Sequence, residues 1–116
     1  MQLVMKRVYE KPAKSDGCRI LVDRLWPRGI SKEKVRIDFW ARDVAPSNEL
    51  RRWYQHDPDK WSEFRRRYFA ELAKNRATVD ELRENLGASK TTFLFSSKET
   101  KLNNARALLE YLEAHP

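Results

Sequence analysis

Ile20-Leu21-Val22-Asp23-Arg24-Leu25-Trp26-Pro27-Arg28-Gly29-Ile30-Ser31-Lys32-Glu33-Lys34 is the stretch whose reading decides this fold. It opens as a short apolar run and turns abruptly into charge and aromatic area. An apolar run of this length fits a buried strand of a parallel sheet, which is covered on both faces. In open α/β sheets, ligands gather just beyond the carboxyl ends of such strands. Asp23, Arg24, Trp26, Arg28 and Gly29 fall at that place, so the stretch marks a candidate site suited to an anion.

Working outward, Gln2–Tyr9 reads as a first strand, Lys11–Gly17 as a turn-rich connection and Cys18–Asp23 as the second strand. The short connection favours a hairpin, because a parallel crossover usually needs about a dozen residues or more. Pro27 restricts Trp26 to extended geometry, and Gly29 is free to adopt a positive φ. Ser31 is a plausible cap for a helical turn through Val35. Phe39, Trp40 and Val44 suggest a short helix. Ser47 is placed to cap a further helix carrying Leu50, Trp53 and Tyr54. Asp57-Pro58 then starts a long amphipathic helix whose buried stripe is Trp61, Phe64, Tyr68 and Leu72. Thr78 and Glu81 form a capping box, predicting a separate helix with Val79, Leu82 and Leu86 that ends at Gly87. Thr91–Phe95 is β-branched and aromatic and reads as the third strand. Ser96-Ser97-Lys98 leads from it toward a last helix bearing Leu102, Ala105, Leu108, Leu109 and Leu112. The expectation is a single α/β domain over residues 1–116, with a small, mostly parallel sheet of about three strands and helices packed on it.

The chain carries 24 lysines and arginines against 17 acidic residues, a formal charge of +7. That balance admits a small anionic ligand, a nucleic acid or an acidic protein partner. Cys18 is the only cysteine, so no intrachain disulfide forms, as suits a reducing compartment. Lys6 and Arg7 interrupt the only apolar patch near the N-terminus, Leu3–Met5, and no segment approaches the roughly 20 apolar residues of a membrane span. A cytoplasmic protein is expected, with no membrane association.

Two groups of residues together resemble a known family. One is Asp23-Arg24-Leu25-Trp26-Pro27-Arg28-Gly29 with Lys32 after it. The other is Trp40, Ala45-Pro46-Ser47, Glu49-Leu50-Arg51, His56-Asp57-Pro58, Trp61, Phe64, Arg67-Tyr68 and Glu71-Leu72. The chain is similar to the YeaO-like family of small bacterial proteins, a domain-of-unknown-function grouping, from about Arg7 to Leu112. The resemblance implies an α/β fold and brings no activity with it. Where members of that family often carry His-Asn near the last helix, this chain has Leu102-Asn103.

Arg24 and Arg28 lead the candidate residues, because a guanidinium fork matches phosphate and carboxylate oxygens. Lys32 lies one short turn on. Ser96, Ser97 and Lys98 follow the third strand, and with parallel strands both loops open at the same sheet edge. The competing reading pairs Arg24 with Asp38 or Asp43 and leaves Ser97 as a helix cap. Asp23 is read as the partner that orients Arg24 rather than as a general base. Trp26, Trp40 and Asn103 would form walls or outer support. His56 is an acid–base group by type, yet its place beside the capping Asp57 favours a structural role. No cysteine or second internal histidine joins it, so no metal set and no cofactor site is expected. Cys18 opens a strand, whereas a thiol nucleophile would be expected at a strand's carboxyl end. Arg65-Arg66-Arg67 spreads around a helix at roughly 100° per residue and reads as a solvated face more than a nucleic-acid reading head. The leading expectation is a binder of a small anion, with catalysis left open. The alternatives are a nucleic-acid-binding module on a basic aromatic surface and an interaction domain for an acidic protein.

Overall fold

Apolar and β-branched side chains make Lys90–Phe95 the centre of the sheet. In the computed structural model, which describes residues 1–116, this strand (β4) lies between β1 (Gln2–Arg7) and β2 (Cys18–Leu21) and runs parallel to both. Every residue from Thr91 to Phe95 is at most 2% exposed. A fourth strand, β3 (Phe39–Trp40), pairs in parallel with β2, giving the order β1-β4-β2-β3. The expected α/β domain with a small parallel sheet is therefore present, with four strands instead of three.

The hairpin between the first two strands is overturned. β1 and β2 do not pair, because β4 is inserted between them. Arg7 stands opposite Phe95 and Cys18 opposite Thr91, so the chain returns over four registers and crosses one strand. That is about 13 Å along the strands and about 10 Å across them. The intervening residues 8–17 reach about 33 Å when extended, so no helix is needed for the crossover. Phe39 and Trp40 are strand and not helix, since their backbone continues the β2 edge; only Arg42–Val44 forms a 3-10 turn.

Four helices cover one face of the sheet: α2 (Asn48–Tyr54), α3 (Trp61–Lys74), α4 (Arg76–Glu84) and α5 (Asn104–Ala114). Leu50, Tyr54, Phe64, Tyr68, Leu72, Val79, Leu82, Leu108 and Leu112 meet Ile20, Val22, Phe93 and Phe95 in one core. Each such fully buried side chain contributes roughly 1.5–3 kcal/mol of transfer free energy. Ser47 caps α2 through the Leu50 N–H, as its position suggested. Three expected helix ends moved. Pro58–Lys60 is a 3-10 turn and α3 proper starts at Trp61; α4 starts at Arg76, placing Thr78 inside it; and α5 is capped by Asn103, six residues beyond Ser97. The Thr78–Glu81 box lost because α3 ends at Lys74 and Asn75 serves as the cap position for both helices. Gly87 lacks the left-handed backbone of a helix-ending glycine. It is required instead by close approach, since a Cβ there would stand 2.5 Å from the Lys90 carbonyl oxygen.

The other face carries no long helix. A short α1 (Lys32–Val35), capped by Ser31, brings Val35 onto Val8, Leu21 and Leu94, with Trp26, Ile30, Ile37 and Trp40 around them. Beside this small core, Asp16 and Arg19 are buried as an ion pair, and Lys6 joins them from β1.

Candidate functional site

All four strands point their carboxyl ends the same way, so the segments leaving β1, β2 and β4 emerge together. They enclose a cleft of about 710 Å³, closed on its far side by α2 and the turn that follows it. Arg7 and Tyr9 enter from β1, Asp23 to Arg28 from β2, Ser96 to Lys98 from β4, and Arg51, Arg52, Tyr54 and His56 from the α2 side. The cleft is thus lined by six cationic side chains, Arg7, Arg24, Arg28, Arg51, Arg52 and Lys98, against one carboxylate, Asp23.

None of these six cations has a carboxylate within 4.0 Å; the chain's ion pairs all lie elsewhere. The expected pairing of Arg24 with Asp38 or Asp43 does not occur. Its guanidinium donates to the Ala45 oxygen at 3.0 Å and the Pro46 oxygen at 3.4 Å, while Asp38 accepts from the Arg19 N–H. Arg7 donates to the Ser96 and Ser97 carbonyls at 3.1 and 2.9 Å and lies 4.8 Å over the Tyr9 ring. Carbonyl partners fix these guanidinium groups without neutralising them, so their charge still faces the cleft. Arg28 is exposed, and its side chain makes no hydrogen bond or ion pair. Its backbone carbonyl accepts from the Tyr9 hydroxyl, which ties the loop after β2 to the end of β1.

Asp23 does not orient Arg24. Its carboxylate accepts from the Ser96 N–H at 2.9 Å, the Ser96 hydroxyl at 2.7 Å and the Asn104 amide at 3.0 Å. These donors lie nearer because β2 and β4 are neighbours and end side by side. Asp23 is therefore the knot joining β2, β4 and α5. Asp23→Ala is expected to lower stability by about 1–3 kcal/mol, the cost of leaving such donors unmatched, measured as a shift of the urea midpoint at constant slope.

His56 stands on a reversal made by two consecutive left-handed residues, Gln55 at φ 46° and His56 at φ 56°. Non-glycine residues rarely adopt this backbone, and such strain gathers at ligand clamps and active sites. The turn leaves His56 Nδ1 3.4 Å from the Ser97 hydroxyl, which already accepts from the Glu99 N–H. Next to it, the Tyr54 hydroxyl donates to the Leu102 carbonyl, and burial, then Glu99 and Asp57, push its pKa up to about 12. That hydroxyl stays protonated as part of the wall.

Arg24, Arg28, Ser96, Ser97, Lys98, Asp23 and Trp26 are brought into this cleft; Lys32, Trp40 and Asn103 are not among its lining. Lys32 opens α1, whose Val35 is committed to the opposite sheet face. Trp40 donates its indole N–H to the Asp23 carbonyl at 2.7 Å, and Asn103 is fully buried as the cap of α5. Arg7, Tyr9, Arg51, Arg52, Tyr54 and Asn104 join the lining unforeseen, and His56, read from the sequence as structural, lines it too. For Arg7 the signal was present in part: it closes β1 at the sheet edge beyond which Arg24 lies. The arginine triplet is occupied elsewhere, Arg66 and Arg67 with Glu63 and Arg65 with Glu110. Cys18 lies at the opposite strand ends; burial, with Asp38 nearby, pushes its thiol pKa up, unlike that of an activated nucleophile. No group of His, Cys, Asp and Glu is arranged to hold a metal ion, and no helix is long and apolar enough to cross a membrane.

Known proteins match this chain over nearly its whole length. An uncharacterised protein of Escherichia coli, YeaO, is 40% identical over 114 residues, covering 98% of this chain and 99% of YeaO. Uncharacterised proteins of Mycobacterium tuberculosis and Mycobacterium bovis are each 43% identical over 106 residues, covering 91% of this chain and 89% of theirs. No solved structure matches it. The family model described as "Inactive DUF488-N3 subclade" matches residues 2–115. With the arginine-rich strand end and the parallel sheet behind it, these matches place the chain in that DUF488-N3 subclade, among the YeaO-like proteins.

Proposed function

We propose that the protein binds a small phosphate- or carboxylate-bearing ligand in the cleft beyond its strand ends. One observation carries this reading: six cations converge there with no carboxylate paired to any of them. Other unpaired cations are scattered over the surface, whereas these six face one concave space with a single carboxylate among them. Unpaired cations repel one another in a concave site, and an anion relieves that repulsion. Binding without catalysis is supported by the engaged Ser97 hydroxyl, by the lack of an activated nucleophile and by the description of the subclade as inactive. The nucleic-acid reading loses its most basic run, since Arg65, Arg66 and Arg67 already meet glutamates.

Inorganic pyrophosphate is a suitable probe by titration calorimetry and thermal shift. The wild-type chain is expected to bind and to gain thermal stability. Arg28→Ala should bind about tenfold more weakly, the worth of one charge-assisted contact. Its melting temperature without pyrophosphate should be unchanged, because the side chain has no protein partner. No binding at about 1 mM pyrophosphate, or an Arg28→Ala, Lys98→Ala double variant that binds like wild type, overturns the proposal.

A further inference from the structure

We infer that the ligand is a nucleoside diphosphate or triphosphate, its phosphates on the arginines and its ring on the apolar wall after β2. This rests on the anion-binding reading above and adds the half of the ligand that carries no charge. The chain exposes only three large apolar side chains, Met1, Tyr9 and Leu25, and two of them line this one cleft. Leu25 is 59% exposed and shares the lining with Arg24 and Arg28. Apolar surface left uncovered inside a concave site is what a flat, partly apolar ligand needs. A bare phosphate or a small carboxylate would leave it in water.

Trp26, the neighbour of Leu25 in this wall, is held in place. Trp26 donates its indole N–H to the Ile30 carbonyl at 2.8 Å, and the Trp40 ring meets it edge-on at 5.4 Å. Pro27 beside it is buried. A preformed platform of this kind loses little freedom when a ring settles on it. The cleft volume of about 710 Å³ lies well within the range for nucleotide-sized ligands and is far larger than one phosphate requires. The charge agrees: a single phosphate brings at most about two negative charges, so six cations suit a chain of two or three phosphates. Single-stranded nucleic acid uses the same chemistry, rings on apolar faces and phosphates on arginines. A long strand also needs a basic track leading out of the site, and the nearby arginine triplet is tied to its own glutamates.

The test compares ADP, pyrophosphate and an oligothymidylate on the intact chain, with Leu25→Ser as the variant. Leu25 is exposed, so this change should leave the unliganded melting temperature in place. Near neutral pH pyrophosphate and ADP carry about the same charge, so charge alone would not separate them. ADP is expected to bind about tenfold more tightly, the worth of one ring contact. Leu25→Ser should remove that advantage and leave pyrophosphate binding unchanged. If pyrophosphate binds as tightly as ADP, or if Leu25→Ser keeps the full preference, the inference fails while the anion site stands. If none of the three probes binds, the anion site itself fails. An oligothymidylate that binds more tightly than ADP and is shed steeply by salt makes the occupant a nucleic acid and overturns the inference.

Discussion

Asp16→Ala is expected to lower the free energy of unfolding by about 3–5 kcal/mol, the cost of stripping one partner from a buried ion pair. Asp16 is 6% exposed and Arg19 5%, so neither charge falls back on water. The carboxylate accepts from the Arg19 guanidinium, from the Lys6 ammonium at 3.1 Å and from the Ala13 N–H at 2.9 Å. Arg19 also donates to the Val35 and Arg36 carbonyls, so it cannot swing out without breaking those bonds. Domains of this size are stable by only about 5–15 kcal/mol, and the variant should lose a large part of that margin. Urea unfolding followed by tryptophan fluorescence measures the loss; a change below about 1 kcal/mol would mean the pair behaves as a solvated one.

The same carboxylate sets a pH dependence. Burial pushes its pKa up, but the Ala13 N–H and the Lys6 and Arg19 cations outweigh this, and the folded value lies below the ordinary one. A carboxyl depressed by folding stabilises fully above its unfolded value, near 4, and that contribution disappears as pH falls through the lower folded value. Wild-type stability should therefore fall below about pH 4, and the Asp16→Ala curve should be flatter there.

Gly17→Ala is expected to cost about 3 kcal/mol or more, combining a forbidden backbone with a collision. Gly17 has φ 67° and ψ −137°, a region open to glycine and closed to residues with a Cβ. An added Cβ would stand 2.5 Å from the Lys90 carbonyl oxygen, which is backbone and cannot step aside. Gly29 supplies the internal control: its φ is 73°, but nothing lies within 4 Å of an added Cβ. Gly29→Ala should cost only the backbone penalty, about 1 kcal/mol. Equal losses at the two positions would show that the contact with β4 is slack.

Asp16 and Gly17 mark the place where the sequence was hardest to read. The apolar runs of β2 and β4 were legible, because burial on both faces leaves no polar alternation. So was the stripe of α3, whose Phe64, Tyr68 and Leu72 recur at helical spacing. β3 was not, since two residues cannot display a period. The strand order was not legible either. A linker as short as residues 8–17 normally signals a hairpin, and the parallel crossover depends on a buried Asp16–Arg19 pair that no local pattern announces. The cleft was half legible for a related reason. Arg24, Arg28 and Lys98 follow strands and could be placed by the strand-end rule. Arg51, Arg52 and His56 reach the same space only because α2 folds back over the strand ends.

Lys6 has a second consequence. β1 is an outer strand, and six residues of its backbone lack a neighbour on one side. Such a border invites another molecule to zip on and begin a fibril. Here the border carries a lysine whose ammonium is drawn inward to Asp16, with only 18% of its side chain left accessible. An incoming strand would have to lie against that turned-in charge, which makes the border a poor template. The contact that secures the crossover thus also guards this edge of the sheet against strand addition.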